Sequence, residues 1–190
     1  MRHKRGTGQL RIIGGQWRGR RLSFYAIDDL RPTADRVRET LFNWLQAQIP
    51  GARCLDLFAG SGALGLEALS RGAAEVVMVE QHPQAAAQIR QHLQTLGSEA
   101  GRVVQADVFA FLQEAATPFD IVFLDPPYRL DCLAQCCRLL EQGGWLKPRA
   151  YIYLEDLSQR AAPELPDNWE LLRSKKAGEV GYHLALRHSG

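Results

Sequence analysis

An apolar run ends in an aspartate, two prolines and a tyrosine in FDIVFLDPPY, Phe119 to Tyr128. One proline is enough to stop a strand, since it removes a backbone donor and fixes φ. The flanking acid and ring ask for a chemical reason. An exocyclic amine on a nucleobase is a poor nucleophile because its lone pair is conjugated with the ring. Two acceptors held together, the Asp125 carboxylate and the Pro126 carbonyl, would bind its two N–H groups. That favours a pyramidal nitrogen whose lone pair is aimed at an electrophilic methyl. The prolines, Pro126 and Pro127, would fix where the carbonyl points. Tyr128 would offer a face on which an extruded base stacks, worth about 1–3 kcal/mol. Such a site works by positioning and electrostatic preorganisation, and it needs no separate strong base. Taken by itself, the tetrapeptide also fits a strand-terminating Pro-Pro turn.

A second group of residues could hold a cofactor. LDLFAGSGALGLEAL contains Gly60-x-Gly62-x-x-Gly65 between a strand and a helix, and Glu80 ends the next strand. This is the spacing of a dinucleotide fingerprint with its ribose acid, and several cofactor classes use such a turn. Asp56, on the strand leading into the loop, would sit poorly beside a pyrophosphate and well beside the α-ammonium of a methionine moiety. S-adenosylmethionine carries no phosphate, so the glycines would allow close backbone approach, and the helix N-terminus could receive its carboxylate. Glu80 can accept two ribose hydroxyls in either case. Asp107, ending QAD, could accept from an adenine amino group with Val108 against the ring; it also reads as an ordinary helix N-cap.

These residues need a frame that gathers them, and the chain spells one. Residues 10–24 read as a short hairpin, LRII and RRLSF around a glycine-rich connection. Arg31-Pro32 forces an extended step before Thr33, a candidate N-cap for the amphipathic helix carrying Val37, Leu41, Trp44 and Leu45. After Gly51 strands and helices alternate. The strands are CLDLF, EVVMVE, RVVQAD, FDIVFLD and AYIYLE. The helices are expected over 64–70, 83–96, 108–115 and 133–140. Nearly continuous apolar strands in such alternation imply a parallel sheet with helices on both faces. The tail WELLRSKKAGEVGYHLALRH reads as two strands pairing antiparallel at one edge. The expected fold class is therefore α/β, a Rossmann-like doubly wound sheet with an antiparallel C-terminal pair and a small N-terminal hairpin and helix. Residues 1–50 would form a basic arm packed on a main domain of residues 51–190.

Charge is unevenly placed. The 190 residues carry 23 Lys+Arg and 21 Asp+Glu, a net +2. Residues 1–38 hold ten basic and three acidic side chains, +7, which leaves −5 for the rest. A basic arm on a mildly acidic body suggests a polyanionic partner, the alternative being a solvated tail. No apolar run has the length of a signal sequence or a membrane span. Cys54, Cys132, Cys136 and Cys137 lack zinc-ligand spacing and read as buried thiols of a reducing compartment, so no metal is expected.

Four stretches, LRIIGGQWRGRRL, RPTADRVRETLFNWL, LDLFAGSGALGLEALSRGA and LDPPY, together resemble the RsmD family of 16S ribosomal RNA guanine-N2 methyltransferases, within the class I S-adenosylmethionine-dependent enzymes. The first two are the specific ones. The resemblance implies a monomeric cytoplasmic enzyme that methylates the exocyclic N2 of one guanine, conventionally guanine 966, on assembled or assembling small subunits. It implies that Asp125, Pro126, Pro127 and Tyr128 hold the target amine. For S-adenosylmethionine it implies Asp56, Phe58, Gly60, Ser61 and Gly62, then Glu80, Gln81, Asp107 and Val108. Candidates for RNA phosphates are Arg18, Arg20, Arg21, Arg31, Arg36 and Arg38, with Arg31 and Thr33 nearer the active-site mouth. Two other readings fit the residues: a DNA adenine or cytosine amino-methyltransferase, for which the chain has no separate recognition domain, and a non-catalytic RNA-binding assembly factor on a relict cofactor fold. A nicotinamide oxidoreductase is a third, distinguishable by which cofactor binds.

Overall fold

The computed structural model describes residues 7–25 and 33–189. The residues expected to extend the basic arm at the extreme N-terminus, and Arg31 with its proline, lie outside the described residues. The hairpin expected at the start is present. Strand β1 (Thr7–Arg11) pairs antiparallel with β2 (Arg21–Tyr25), Leu10 opposite Leu22. Helix α1 (Asp35–Trp44) follows, and its N-cap is Ala34 with no side-chain cap. The expectation that Thr33 caps this helix is thus corrected: its hydroxyl is directed at Asp125 instead.

Strands β3 (Arg53–Asp56), β4 (Glu75–Val79), β5 (Gly101–Val104) and β6 (Phe119–Leu124) alternate with helices α2 (Ala63–Ser70), α3 (Pro83–Leu96) and α4 (Val108–Phe111). Helix α5 (Leu133–Gln142) leads to β7 (Leu146–Leu157), and β8 (Trp169–Ala177) and β9 (Val180–Arg187) complete the chain. Two boundaries differ from the sequence reading. Helix α4 is one turn, shorter than expected, and β7 runs well beyond AYIYLE at both ends.

These strands form one seven-stranded sheet in the order β5-β4-β3-β6-β7-β9-β8. Pairs from β5 to β7 are parallel, while β9 is antiparallel to both β7 and β8. The chain builds outward from β3 in one direction, then returns to lay β6 on its other side. That reversal is a topological switch point, where a crevice opens beyond the carboxyl ends of the strands.

Strand alternation distributes two cores across the sheet. Cys54, Val76, Met78, Ile121 and Phe123 face one cluster, shared with Leu10, Leu22, Leu41 and Leu64. Leu55, Val77, Val79, Val122 and Leu124 face the other, shared with Phe111, Leu133 and Trp145. The hairpin and α1 therefore share a hydrophobic core with α2 and α3. All four cysteines are buried free thiols. Among the described residues no helix is long and apolar enough to cross a membrane.

Polar contacts fasten the hairpin. The Glu67 side chain, fully buried on α2, accepts from the backbone N–H of Ile13 (3.0 Å) and Gly14 (2.9 Å) and from Arg71 Nε (3.0 Å). Ser70, one turn on, donates to the Gly14 carbonyl at 2.6 Å and accepts from Trp17 N–H at 3.0 Å. The Gln88 side chain on α3 donates to Ser23 O and accepts from Tyr25 N–H, an amide splice onto the edge of β2.

Arg38 belongs to this anchorage, which corrects its assignment as a phosphate ligand. Its side chain is 1% exposed. It donates to the carbonyls of Thr33 and Arg11 and to Asp35 Oδ1 at 2.6 Å, and lies 3.7 Å from Glu67 Oε2. A buried guanidinium tied by Nε and Nη2 to three acceptors, with Nη1 beside the Glu67 charge, cannot reach RNA. Arg18, Arg20, Arg21 and Arg36 are exposed.

Candidate active site

A cavity of about 630 Å³ lies where the switch point predicts. Its wall includes Phe58, Gly60, Ser61, Glu80 and Gln81 on one side, and Asp125, Pro126, Pro127, Tyr128 and Glu155 on the other. Asp107, Val108 and Thr33 complete the arc. Two sequence-expected residues, Asp56 and Gly62, stand behind it and are not part of the wall.

The glycine turn explains that arrangement. Gly62 occupies the N-cap of α2 at φ +85°, a left-handed conformation that side chains disfavour, and glycine leaves the helix without a capping group. Asp56 supplies one from the preceding strand: its Oδ2 accepts from Gly65 N–H at 3.1 Å. The acid is 1% exposed, and its other oxygen has no partner among the described residues. Burial, reinforced by the charge of Glu80, pushes its carboxyl up to about 7. Gly65 itself is required by packing, since a Cβ there would stand 2.5 Å from Met78 Sδ on β4.

Glu80 closes the turn from the other side. Its Oε2 accepts from Gly60 N–H at 2.8 Å and its Oε1 from His82 N–H at 3.0 Å. Each carboxylate oxygen keeps a second acceptor site, so a vicinal diol can still be held. Asp107 is the N-cap of α4, accepting from Ala110 N–H at 3.0 Å, and it also lines the cavity, so both expected roles are compatible. With apolar Phe58, Val79 and Val108 facing the same space, the set fits S-adenosylmethionine: acids for the ribose and adenine edges, and a helix N-terminus without its own side-chain cap for the methionine carboxylate.

The tetrapeptide continues the wall. Asp125 Oδ2 accepts from the Thr33 hydroxyl at 3.3 Å, while Oδ1 is buried without a partner. Burial, then the charges of Asp56 and Glu155, raise its carboxyl well above the usual range. Pro126 is buried, and Pro127 leads into a 3-10 turn, Tyr128–Leu130. That turn is fixed by Arg160, which donates to Tyr128 O at 3.0 Å and to Asp156 Oδ1 at 2.7 Å. Burial and neighbouring acids raise the Tyr128 phenol, so it stays neutral. Sequence reasoning missed Arg160, whose partners lie on another element. It also missed Glu155, although an acid ending the apolar run AYIYLE repeats the pattern that flagged Glu80.

A sheet reversing at β3, a glycine turn roofed by two acids, and an Asp-Pro-Pro-Tyr wall in the same crevice define a class I S-adenosylmethionine-dependent methyltransferase. Comparison with known proteins narrows this. Residues 10–186 match the family described as Conserved hypothetical protein 95. The chain is 50% identical over 184 residues to the ribosomal RNA small subunit methyltransferase D of Escherichia coli, covering 97% of this chain and 93% of the relative. The protein of that description from Haemophilus influenzae is 46% identical over 182 residues, covering 93% of each chain. A solved structure titled as a putative methyltransferase from Escherichia coli superposes with a TM-score of 0.89 at 49% identity, covering 96% of this chain and all of that one. The chain belongs to the RsmD family of methyltransferases.

Proposed function

We propose that this protein methylates the exocyclic N2 amine of a guanine in small-subunit ribosomal RNA, acting as a cytoplasmic monomer on assembled or assembling subunits. The observation that carries the reading is Asp125, which lines the same cavity as the glycine turn and has one carboxylate oxygen without a hydrogen-bond partner. The relatives named for small-subunit RNA methylation support the substrate class.

S-adenosylmethionine, when bound, supplies a methyl group activated on a sulfonium. Asp56 and Glu80 hold the turn in place before binding, so little reorganisation is left for the encounter. Asp125 and the Pro126 carbonyl accept the two N–H bonds of the target amine, orienting its lone pair toward the methyl. With the methyl passed on and the sulfonium leaving as a neutral thioether, the positive charge would lie on the nitrogen beside Asp125, which would stabilise it. With its raised proton affinity, Asp125 is also the nearest base for the proton the nitrogen sheds afterwards. Tyr128, uncharged and half-buried, serves as the stacking face. The exposed Arg18, Arg20, Arg21 and Arg36 serve RNA phosphates.

The test compares tritium transfer from labelled cofactor to small subunits lacking the modification and to duplex DNA. Label on guanine N2 of subunit RNA is expected; label in DNA alone overturns the substrate. Asp125→Ala is expected to abolish transfer while RNA affinity stays within a few-fold. Undiminished transfer by that variant refutes the amine site and favours a different acceptor group.

A further inference from the structure

Glu155 faces the cavity and takes no part in the steps above. Leu124 and Leu154 are register partners on β6 and β7, so Asp125 and Glu155, one residue on, are neighbours across the two strands: Asp125 stands just past the end of β6, and Glu155 lies within β7, opposite Tyr182 of β9. The Glu155 charge acts on Asp125, as expected of neighbours. Glu155 is 7% exposed, and among the described residues its carboxylate has no hydrogen-bond donor and no cation. An acid this far out of solvent, with no donor from the chain on its carboxylate, is free to accept one from a ligand that enters the cavity.

Guanine brings such a donor. Its Watson–Crick edge carries N1–H directly beside the N2 amine, three hydrogens in a row. Adenine presents a lone pair at the corresponding ring nitrogen. We propose that Glu155 accepts the N1–H of the target base while Asp125 and the Pro126 carbonyl hold its amine, so that Glu155 is the residue that selects guanine. This assignment rests on the guanine-N2 reading above. It gives two adjacent carboxylates a common reason: each meets a hydrogen of one flat edge, and the bridging base relieves their mutual repulsion. An adenine in the same pose would set its N1 lone pair against Glu155, leaving a buried acid unpaired, the kind of mismatch that discriminates most strongly.

The test uses small subunits reconstituted with ligated RNA carrying either guanine or 2-aminopurine at the target. The analogue keeps the 2-amino group and lacks the N1–H. The unaltered enzyme should prefer guanine by roughly 100-fold, the upper end of what one unmet hydrogen bond is worth. Glu155→Gln, whose amide can donate to an unprotonated N1, should slow guanine and quicken 2-aminopurine, shrinking the preference by about tenfold or more. Glu155→Asp keeps an acceptor and should keep most of the preference at a lower rate. Affinity for S-adenosylhomocysteine, read by calorimetry, should be unmoved in both variants. Equal slowing of both bases in Glu155→Gln overturns the proposal, because a proton acceptor or a structural acid would act on both alike. So does a loss of S-adenosylhomocysteine affinity that tracks the loss of guanine transfer. Equal rates on the two bases in the unaltered enzyme overturn it without any variant. No transfer to the guanine subunit at all overturns the functional reading instead.

Discussion

Replacing Glu67 by Gln tests whether the hairpin is held by charge and hydrogen bonds or by its apolar face alone. Glutamine preserves the shape but offers one acceptor oxygen where glutamate offers two. Glu67 Oε2 serves Ile13 N–H, and Oε1 serves both Gly14 N–H and Arg71 Nε. Whichever way the amide turns, an NH₂ group confronts a backbone donor. One unmet buried N–H costs about 1–3 kcal/mol. Arg38 also loses its counter-charge at 3.7 Å. Breaking a buried pair outright costs about 3–5 kcal/mol, but Arg38 keeps Asp35 and two carbonyls, so only part of that applies. The sum is about 2–4 kcal/mol, a sizeable share of a typical 5–15 kcal/mol total. Urea unfolding of Glu67→Gln, Arg38→Met and the double variant measures it. The double variant should lose at least about 1 kcal/mol less than the sum of the singles, because Arg38→Met removes the stranded cation. A Glu67→Gln loss below about 1 kcal/mol, or strictly additive losses, would show that the polar anchorage contributes nothing and that the hydrophobic cluster alone docks the hairpin.

Gly65→Ala pushes a methyl against the Met78 side chain on β4 and should cost about 1–3 kcal/mol in urea unfolding; a loss well below about 1 kcal/mol would show that the methionine turns aside and that packing does not require glycine there. Folded Asp56 and Glu155 titrate near 7 and Asp125 well above its usual range, whereas in the unfolded chain such groups release their protons near pH 4. The ligand-free fold therefore binds more protons between about pH 4 and 7, and its stability should fall as pH rises through that window. Glu155→Gln should flatten that slope, and identical pH profiles for the two proteins refute the assignment. Converting Arg18, Arg20 and Arg21 to Gln should lower the salt dependence of subunit binding by roughly two to three counterions and leave cofactor affinity alone; filter binding across a salt series reads the slope, and an unchanged slope excludes those three from the interface.

Much of the frame could be read from residues alone because its signals are local. Helix α3 was legible to the residue, with Pro83 at its first turn and Gly97 in a left-handed cap beyond its end. Strands β3, β4 and β6 were legible because both faces are buried, which leaves continuous apolar runs, whereas β5 at the sheet edge is only half-buried and was read from its valines and its place in the alternation. Shifts at α4 and β7 arose where the pattern has no punctuation. Arg38 was misread for a different reason: helical spacing says which face a residue occupies, not that a glutamate some thirty residues later waits under that face. Thr33 carried a cap's signature, and a buried carboxylate outcompeted the helix for its hydroxyl. Asp56 is expected from sequence to meet the cofactor directly; its place behind the glycine turn follows from Gly62 lacking a capping side chain, a relation visible only in three dimensions. Glu155 escaped because its importance depends on strand register, which places it beside Asp125.

Arg160 joins the carbonyl of Tyr128 to the far end of β7, which makes the aromatic edge of the cleft a fixed jamb. A jamb cannot sweep across a helix and lever a nucleotide free. On the proposed substrate, that work falls to the ribonucleoprotein particle, which must offer a base already swung out of its stack. Selection would then depend as much on how far the particle has matured as on the letters around the target.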